Sequence, residues 1–96
     1  MTDMIMQAVE RIQRMEFCFD GLSYAVKFEL WNDFAKEKHL RLKQYYESGE
    51  WLKDYELDEK GLLPANLKRG VLSQDALYDL LSYIQELGKT IDKKVI

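Results

Sequence analysis

The sequence predicts an all-α domain in which a long N-terminal helix packs against shorter helices as a helical hairpin or bundle. Three observations predict it. Apolar residues recur at alternating steps of three and four from Ile5 to Val26, the spacing of one helix face. Strand signals, namely β-branched runs of period two with turn dipeptides roughly every 8–12 residues, do not occur. The strong breakers are sparse, with one proline and five glycines in 96 residues. That length suits a single domain spanning 1–96, above the size at which disulfides or metals become necessary.

The first helix rests on Ile5, Ala8, Ile12, Met15, Phe19, Leu22 and Val26, a heptad stripe. "DGLS" at 20–23 offers a break at Gly21, yet the stripe passes through it in phase, and a glycine inside a helix costs only about 1 kcal/mol. Leu30, Trp31 and Phe34 extend the stripe, so one helix from 4 to 36 is expected, on the order of 50 Å long. The polar "KEKH" at 36–39 is the expected reversal. A second helix follows with Leu42, Tyr45 and Tyr46 on its apolar side, and Gly49 closes it in a left-handed cap. Ser48 caps a short third helix with Trp51, Leu52 and Tyr55 as its apolar positions, ended by Gly61. Residues 62–72 are irregular around Pro64 and Gly70, and their leucines and Val71 plug the end of the core. Ser73 caps the last helix, with Asp75 in its first turn, where the helix dipole favours an anion. Leu77, Leu80, Leu81, Ile84, Leu87 and Ile91 form its buried stripe. Asp75, Asp79, Ser82, Glu86 and Lys89 form its wet face.

Composition narrows the function classes. With 47% hydrophobic and 32% charged residues, the chain is neither disordered nor membrane-embedded. No apolar run approaches the roughly 20 residues of a bilayer crossing. The N-terminal segment lacks a basic flank and meets charge early, which is not the pattern of a signal peptide. A single cysteine, Cys18, rules out an internal disulfide and suits a reducing compartment, so a cytoplasmic location is expected. The net charge of -3 argues against nucleic acid as a partner, because phosphate binding needs clustered cations. The basic cluster Lys36, Lys38, Arg41 and Lys43 is small and lies close to acids.

The stretch "YYESGEWLKDYELDEKGLLPANLKRGVLSQDALYDLL" at 45–81, together with "RIQRME" at 11–16, resembles the bacterial domain-of-unknown-function family 4298. The resemblance covers most of the chain and implies a small helical bacterial protein with no assigned activity and no catalytic residues to transfer.

Candidate chemistry is thin. "DYELDE" begins like a calcium loop but has Glu59 where the sixth-position glycine belongs and Ala65 where the twelfth-position glutamate belongs. Asp54 and Asp58, one turn apart, form at most a loose cation pair, and the ordinary reading is a solvated acidic face. One histidine, His39, and one cysteine do not make a zinc site; Cys18 reads as a small core residue and His39 as a surface residue. No cofactor motif, phosphate loop or metal site is found, and no catalytic residue is assigned.

The strongest candidate is the connection into the last helix. Asp75 and Asp79 are like charges one turn apart, and Lys68 and Arg69 arrive just before them. In the structural reading, Arg69 folds back on Asp75, Asp79 or the acidic helix 50–59, or stacks on Trp51 or Tyr78. In the functional reading, Lys68, Arg69 and the helix start around Ser73 cradle a small anion beside Trp51 and Tyr78. The expected function is a non-enzymatic interaction protein that pairs as a homodimer or binds another protein. A helix running from 4 to 36 leaves part of its stripe without an intrachain partner, flanked by Met4, Met6, Phe17, Tyr24 and Phe28. The alternative is a small-anion or ligand-binding module at the Lys68–Arg69 turn.

Overall fold

In a computed structural model the chain is described over residues 2–73 and 75–95, with side chains over 3–73 and 75–87. Four helices follow one another: α1 (Thr2–Lys27), α2 (Asp33–Glu47), α3 (Glu50–Glu59) and α4 (Ala76–Val95). A single 3-10 turn, Gly70–Leu72, precedes α4. No strand occurs among the described residues, so the class is all-α. α1 and α2 fold back on each other as a hairpin, and the 3-10 turn wedges against α1, α3 and α4.

The inner stripe of α1 is as expected. Ala8, Ile12 and Leu22 are fully buried, and Met15, Phe19 and Val26 are partly so. The helix runs unbroken through Gly21, where a Cβ would lie 2.8 Å from Cε of Lys38 on α2. Gly21 thus gives the Lys38 stem room to cross α1.

The end of α1 corrects the sequence reading. The helix stops at Lys27 rather than 36, and "KEKH" lies inside α2. The reversal falls on residues 28–32. Leu30 N–H donates to the Ala25 carbonyl at 2.8 Å and Glu29 N–H to Val26 at 3.3 Å, the double bond of a Schellman cap. Its left-handed position holds Glu29 (φ 56), where a glycine is usual. Asn32 then caps α2, its Oδ1 accepting from Ala35 N–H at 3.0 Å. In consequence Leu30, Trp31 and Phe34 do not continue the stripe but stand exposed. A left-handed non-glycine residue costs about 1–2 kcal/mol, part of which glycine returns through its freer unfolded chain. Glu29→Gly is therefore expected to raise stability by about 0.5–1 kcal/mol in urea denaturation, with no change of fold.

Gly49 (φ 90) and Gly61 (φ 71) end α2 and α3 in left-handed conformations as expected. The N-cap position of α3 is Gly49 rather than Ser48, whose Oγ instead accepts from Glu50 N–H at 3.3 Å. On α3, Trp51 is buried and Tyr55 half-buried, but Leu52 faces solvent and Asp54 takes the buried place. Leu63, Val71 and Leu72 plug the core end, while Leu62 is exposed. Ser73 closes the 3-10 turn, its N–H donating to Gly70. Asp75 stands just before α4, its carbonyl accepting from Asp79 N–H at 2.8 Å. On α4, Leu77 and Ile84 are buried, Leu80 and Leu81 pack at the edge, and Leu87 is exposed. Ile91 and Lys89 lie outside the described side chains.

Candidate functional site

α3 presents residues 51, 54, 55 and 58 to the core, the i, i+3, i+4, i+7 spacing of one helix face. Two of these four are acids. Each holds an arginine from a distant segment.

Asp54 is fully buried. Arg11 of α1 donates to it twice, from Nε at 2.9 Å and from an Nη at 2.5 Å, and the Tyr45 hydroxyl donates at 2.7 Å. Glu50 lies 3.8 Å from the same guanidinium. The fork of Arg11 on one carboxylate is the geometry in which a buried ion pair compensates its desolvation best. The hydrogen bond to Asp54 raises the Arg11 pKa further. Burial first, and then the hydrogen bond and charge of Asp54, push the Tyr45 phenol well above its ordinary range. Since the folded pKa is raised, this stabilisation is complete below about pH 10, the unfolded value. It is lost as the pH rises beyond that, where the unfolded chain releases a proton the folded one keeps. Urea midpoints are expected to fall above about pH 10, and to fall less steeply in Tyr45→Phe.

Asp58 takes Arg69. One Nη donates to Asp58 Oδ1, the other to the Pro64 carbonyl, and Nε donates to the Leu67 carbonyl at 3.2 Å. All three guanidinium nitrogens are thus engaged within the chain, and the partner is Asp58 of the acidic helix rather than Asp75 or Asp79. Arg69→Ala is expected to lower stability by about 1 kcal/mol, a fall of about 4–8 °C in melting temperature. An unchanged melting temperature would show that the bridge holds nothing.

Beside Arg69, the backbone of the 3-10 turn is gripped from two sides. Val71 N–H donates to the carboxylate of buried Glu16 on α1, at 3.2 and 3.4 Å to its two oxygens. The Val71 carbonyl accepts from Trp51 Nε1 at 2.9 Å. Trp51 stacks on Tyr55, with ring centroids 5.1 Å apart. A Cβ on Gly70 would sit 2.7 Å from a Glu16 oxygen, so the close approach of that carboxylate requires the glycine.

The candidate residues therefore divide. Trp51 and Arg69 belong to this internal framework. Lys68 is exposed and lines a groove of about 410 Å³ with Glu16, Asp20 and Pro64. Ser73, Asp75 and Asp79 are exposed. Tyr78 is exposed on α4 beside His39, Lys43 and Tyr46, in a different groove from Lys68. Lys68 and Tyr78 thus line separate grooves. Arg11, Glu16 and Tyr45 escaped the sequence reading as site residues, and Asp54 entered it only as a surface acid. The signal for them is the pair of acids on the inner face of α3, each of which takes a part-buried arginine. Cys18 packs in the core, where burial pushes its thiol pKa up. His39 is half-buried on α2, close to Trp31, and burial lowers its pKa.

Between α1 and α2 runs a groove of about 620 Å³ with Phe17 on one wall, Phe34 on the other and Cys18 at its floor. The Lys38 ammonium lies 5.6 and 5.5 Å from the centroids of the two phenyl rings. No helix among the described residues is long and apolar enough to cross a membrane.

No curated protein and no solved structure is significantly similar to the chain. A family model described as a domain of unknown function does match, over residues 12–92, and takes in every member of the framework around α3 except Arg11. The chain belongs to that family, DUF4298.

Proposed function

We propose that the chain is a non-enzymatic helical module that works by holding another protein against the outer face of the α1–α2 hairpin. One observation carries the reading: Phe17 and Phe34 are 71% and 72% exposed, on facing walls of one groove. Single exposed apolar residues need no explanation. Here, however, Tyr24 on α1 and Phe28 just past its end add exposed rings to those of the groove. A clustered apolar surface of this kind is the usual mark of an interaction site. Aromatic anchors dominate protein interfaces, and an ammonium already held between two rings gives such a site a polar contact.

An over-long first helix does not supply the surface, because α1 ends at Lys27 and folds against α2. The residues flanking its stripe now support the reading. The buried and half-buried polar groups Arg11, Asp54, Tyr45 and Glu16 all hydrogen-bond within the chain, which favours a scaffold over a catalyst.

The test is photo-crosslinking in the cell with a benzophenone amino acid at Phe34 and, as a control, at Lys60, exposed just past the end of α3. Protein adducts at Phe34 and none at Lys60 are expected. No adduct at Phe34 would overturn the reading.

A further inference from the structure

We infer that the hairpin corner carries a second site, a groove that binds a small organic ammonium ion (one positive charge on an apolar body) with Glu29 as its counter-ion. The groove, of about 530 Å³, lies between the end of α1, the corner, α2 and α4. It shares no lining residue with the groove at Phe17 and Phe34. Small-molecule sites have volumes of roughly 300–1,000 Å³ and are mostly apolar with a few polar groups. Here buried Ala25 and Ile84 form the floor, and the exposed rings of Trp31 and Tyr83 line the groove above it.

The lining fixes the charge of the ligand. Glu29 is the one acid there, and among the described residues no lysine or arginine joins it. His39 also lines the groove; burial lowers its pKa and nearby Lys43 lowers it further, so the imidazole is uncharged at neutral pH. Glu29 pairs with no cation among the described residues. Lys27, two positions earlier, lies over the Phe28 ring at 5.6 Å, and Lys43 lines the adjoining groove with Tyr46 and Tyr78. A lone surface carboxylate is ordinary, but two features set this one apart. It borders the same groove as an indole and a phenol ring, whose faces attract organic cations. It also stands on a left-handed backbone, φ 56, where a glycine would be at ease. A strained residue kept beside a groove points to work done by its side chain. An anion is repelled here, and a neutral apolar body leaves the carboxylate unused. An ammonium on an apolar stem meets the carboxylate, the ring faces and the buried floor together.

The experiment is a nuclear magnetic resonance titration of the full nitrogen-15-labelled chain with phenethylamine, and separately with phenethyl alcohol and phenylacetate. The two controls exchange the ammonium for a neutral and an anionic group on the same apolar body. The indole N–H resonances report the place of binding, since Trp31 lines the groove while Trp51 is buried elsewhere and bonded to Val71. Phenethylamine is expected to shift Trp31 and leave Trp51 still, and to bind about tenfold more tightly than the alcohol, the worth of one charge-assisted contact. Phenylacetate is expected to bind most weakly. Glu29→Gln, at an exposed position, is expected to erase the preference for the amine over the alcohol. Glu29→Gly is expected to erase it as well while raising stability, which separates lost recognition from lost folding. A Trp31 resonance unmoved by phenethylamine, equal binding of amine and alcohol, or an undiminished preference in Glu29→Gln would each overturn the site.

Discussion

Replacing Asp54 by alanine is expected to cost about 3–5 kcal/mol, because it breaks an ion pair by removing its buried partner. A 96-residue domain has about 5–14 kcal/mol of stability in all, so Asp54→Ala removes a large part of it. The loss has two sources. The Arg11 guanidinium, largely enclosed, would keep its charge without its carboxylate, and the buried Tyr45 hydroxyl would lose the carboxylate that accepts its hydrogen bond. Water cannot replace the carboxylate cheaply, because Asp54 has no exposed surface through which it would enter. The reverse experiment sharpens the claim. Replacing a buried ion pair with apolar groups of similar volume is often neutral, so Arg11→Met with Asp54→Leu is expected to recover much of the loss. Urea denaturation of the two single variants and the double variant measures the coupling directly. A cost below about 1 kcal/mol for Asp54→Ala would mean that the ion pair does not hold α1 to α3.

That expectation also explains how much of the molecule could be read from its sequence. The inner stripe of α1, the glycine stops at 49 and 61 and the core face of α4 follow from periodicity and turn chemistry, which are local properties. The hairpin corner does not. Its left-handed cap holds Glu29 where a glycine would have announced it, and Leu30, Trp31 and Phe34 happen to continue the phase of the stripe. Asn32 before Asp33 was the one local signal of a new helix start. Asp54 was illegible for a different reason. Hydrophobic periodicity has no symbol for a carboxylate at a core position, and its partner Arg11 is 43 residues away. Once α3 is drawn as a wheel, Asp54 and Asp58 share the side of Trp51, and two acids on a buried face ask for two arginines. The exposed groove at Phe17 and Phe34 was half legible. Phe17 reads as a neighbour of the stripe, while Phe34 reads as part of it because periodicity carries the helix past the corner.

Trp51→Ala is expected to cost about 3–5 kcal/mol, equal to the loss at Asp54 but by another route. The ring is 8% exposed, packs between Tyr46 and Tyr55 at centroid distances of 5.4 and 5.1 Å, and donates to the Val71 carbonyl. Truncation opens a cavity at the junction of α3 with the 3-10 turn and leaves that carbonyl without its donor. Trp51→Phe separates the two effects. It keeps most of the apolar volume and removes the donor, so a loss of about 1–2 kcal/mol is expected, the size of one orphaned buried acceptor. The distinction bears on function. A tryptophan whose work is to pin Val71 from one side, while Glu16 pins it from the other, is unavailable as a platform for a ligand in the Lys68–Arg69 turn. Trp51→Phe as stable as the unmodified chain would show that the indole N–H is not needed in the fold, and would return Trp51 to the residues open to a ligand.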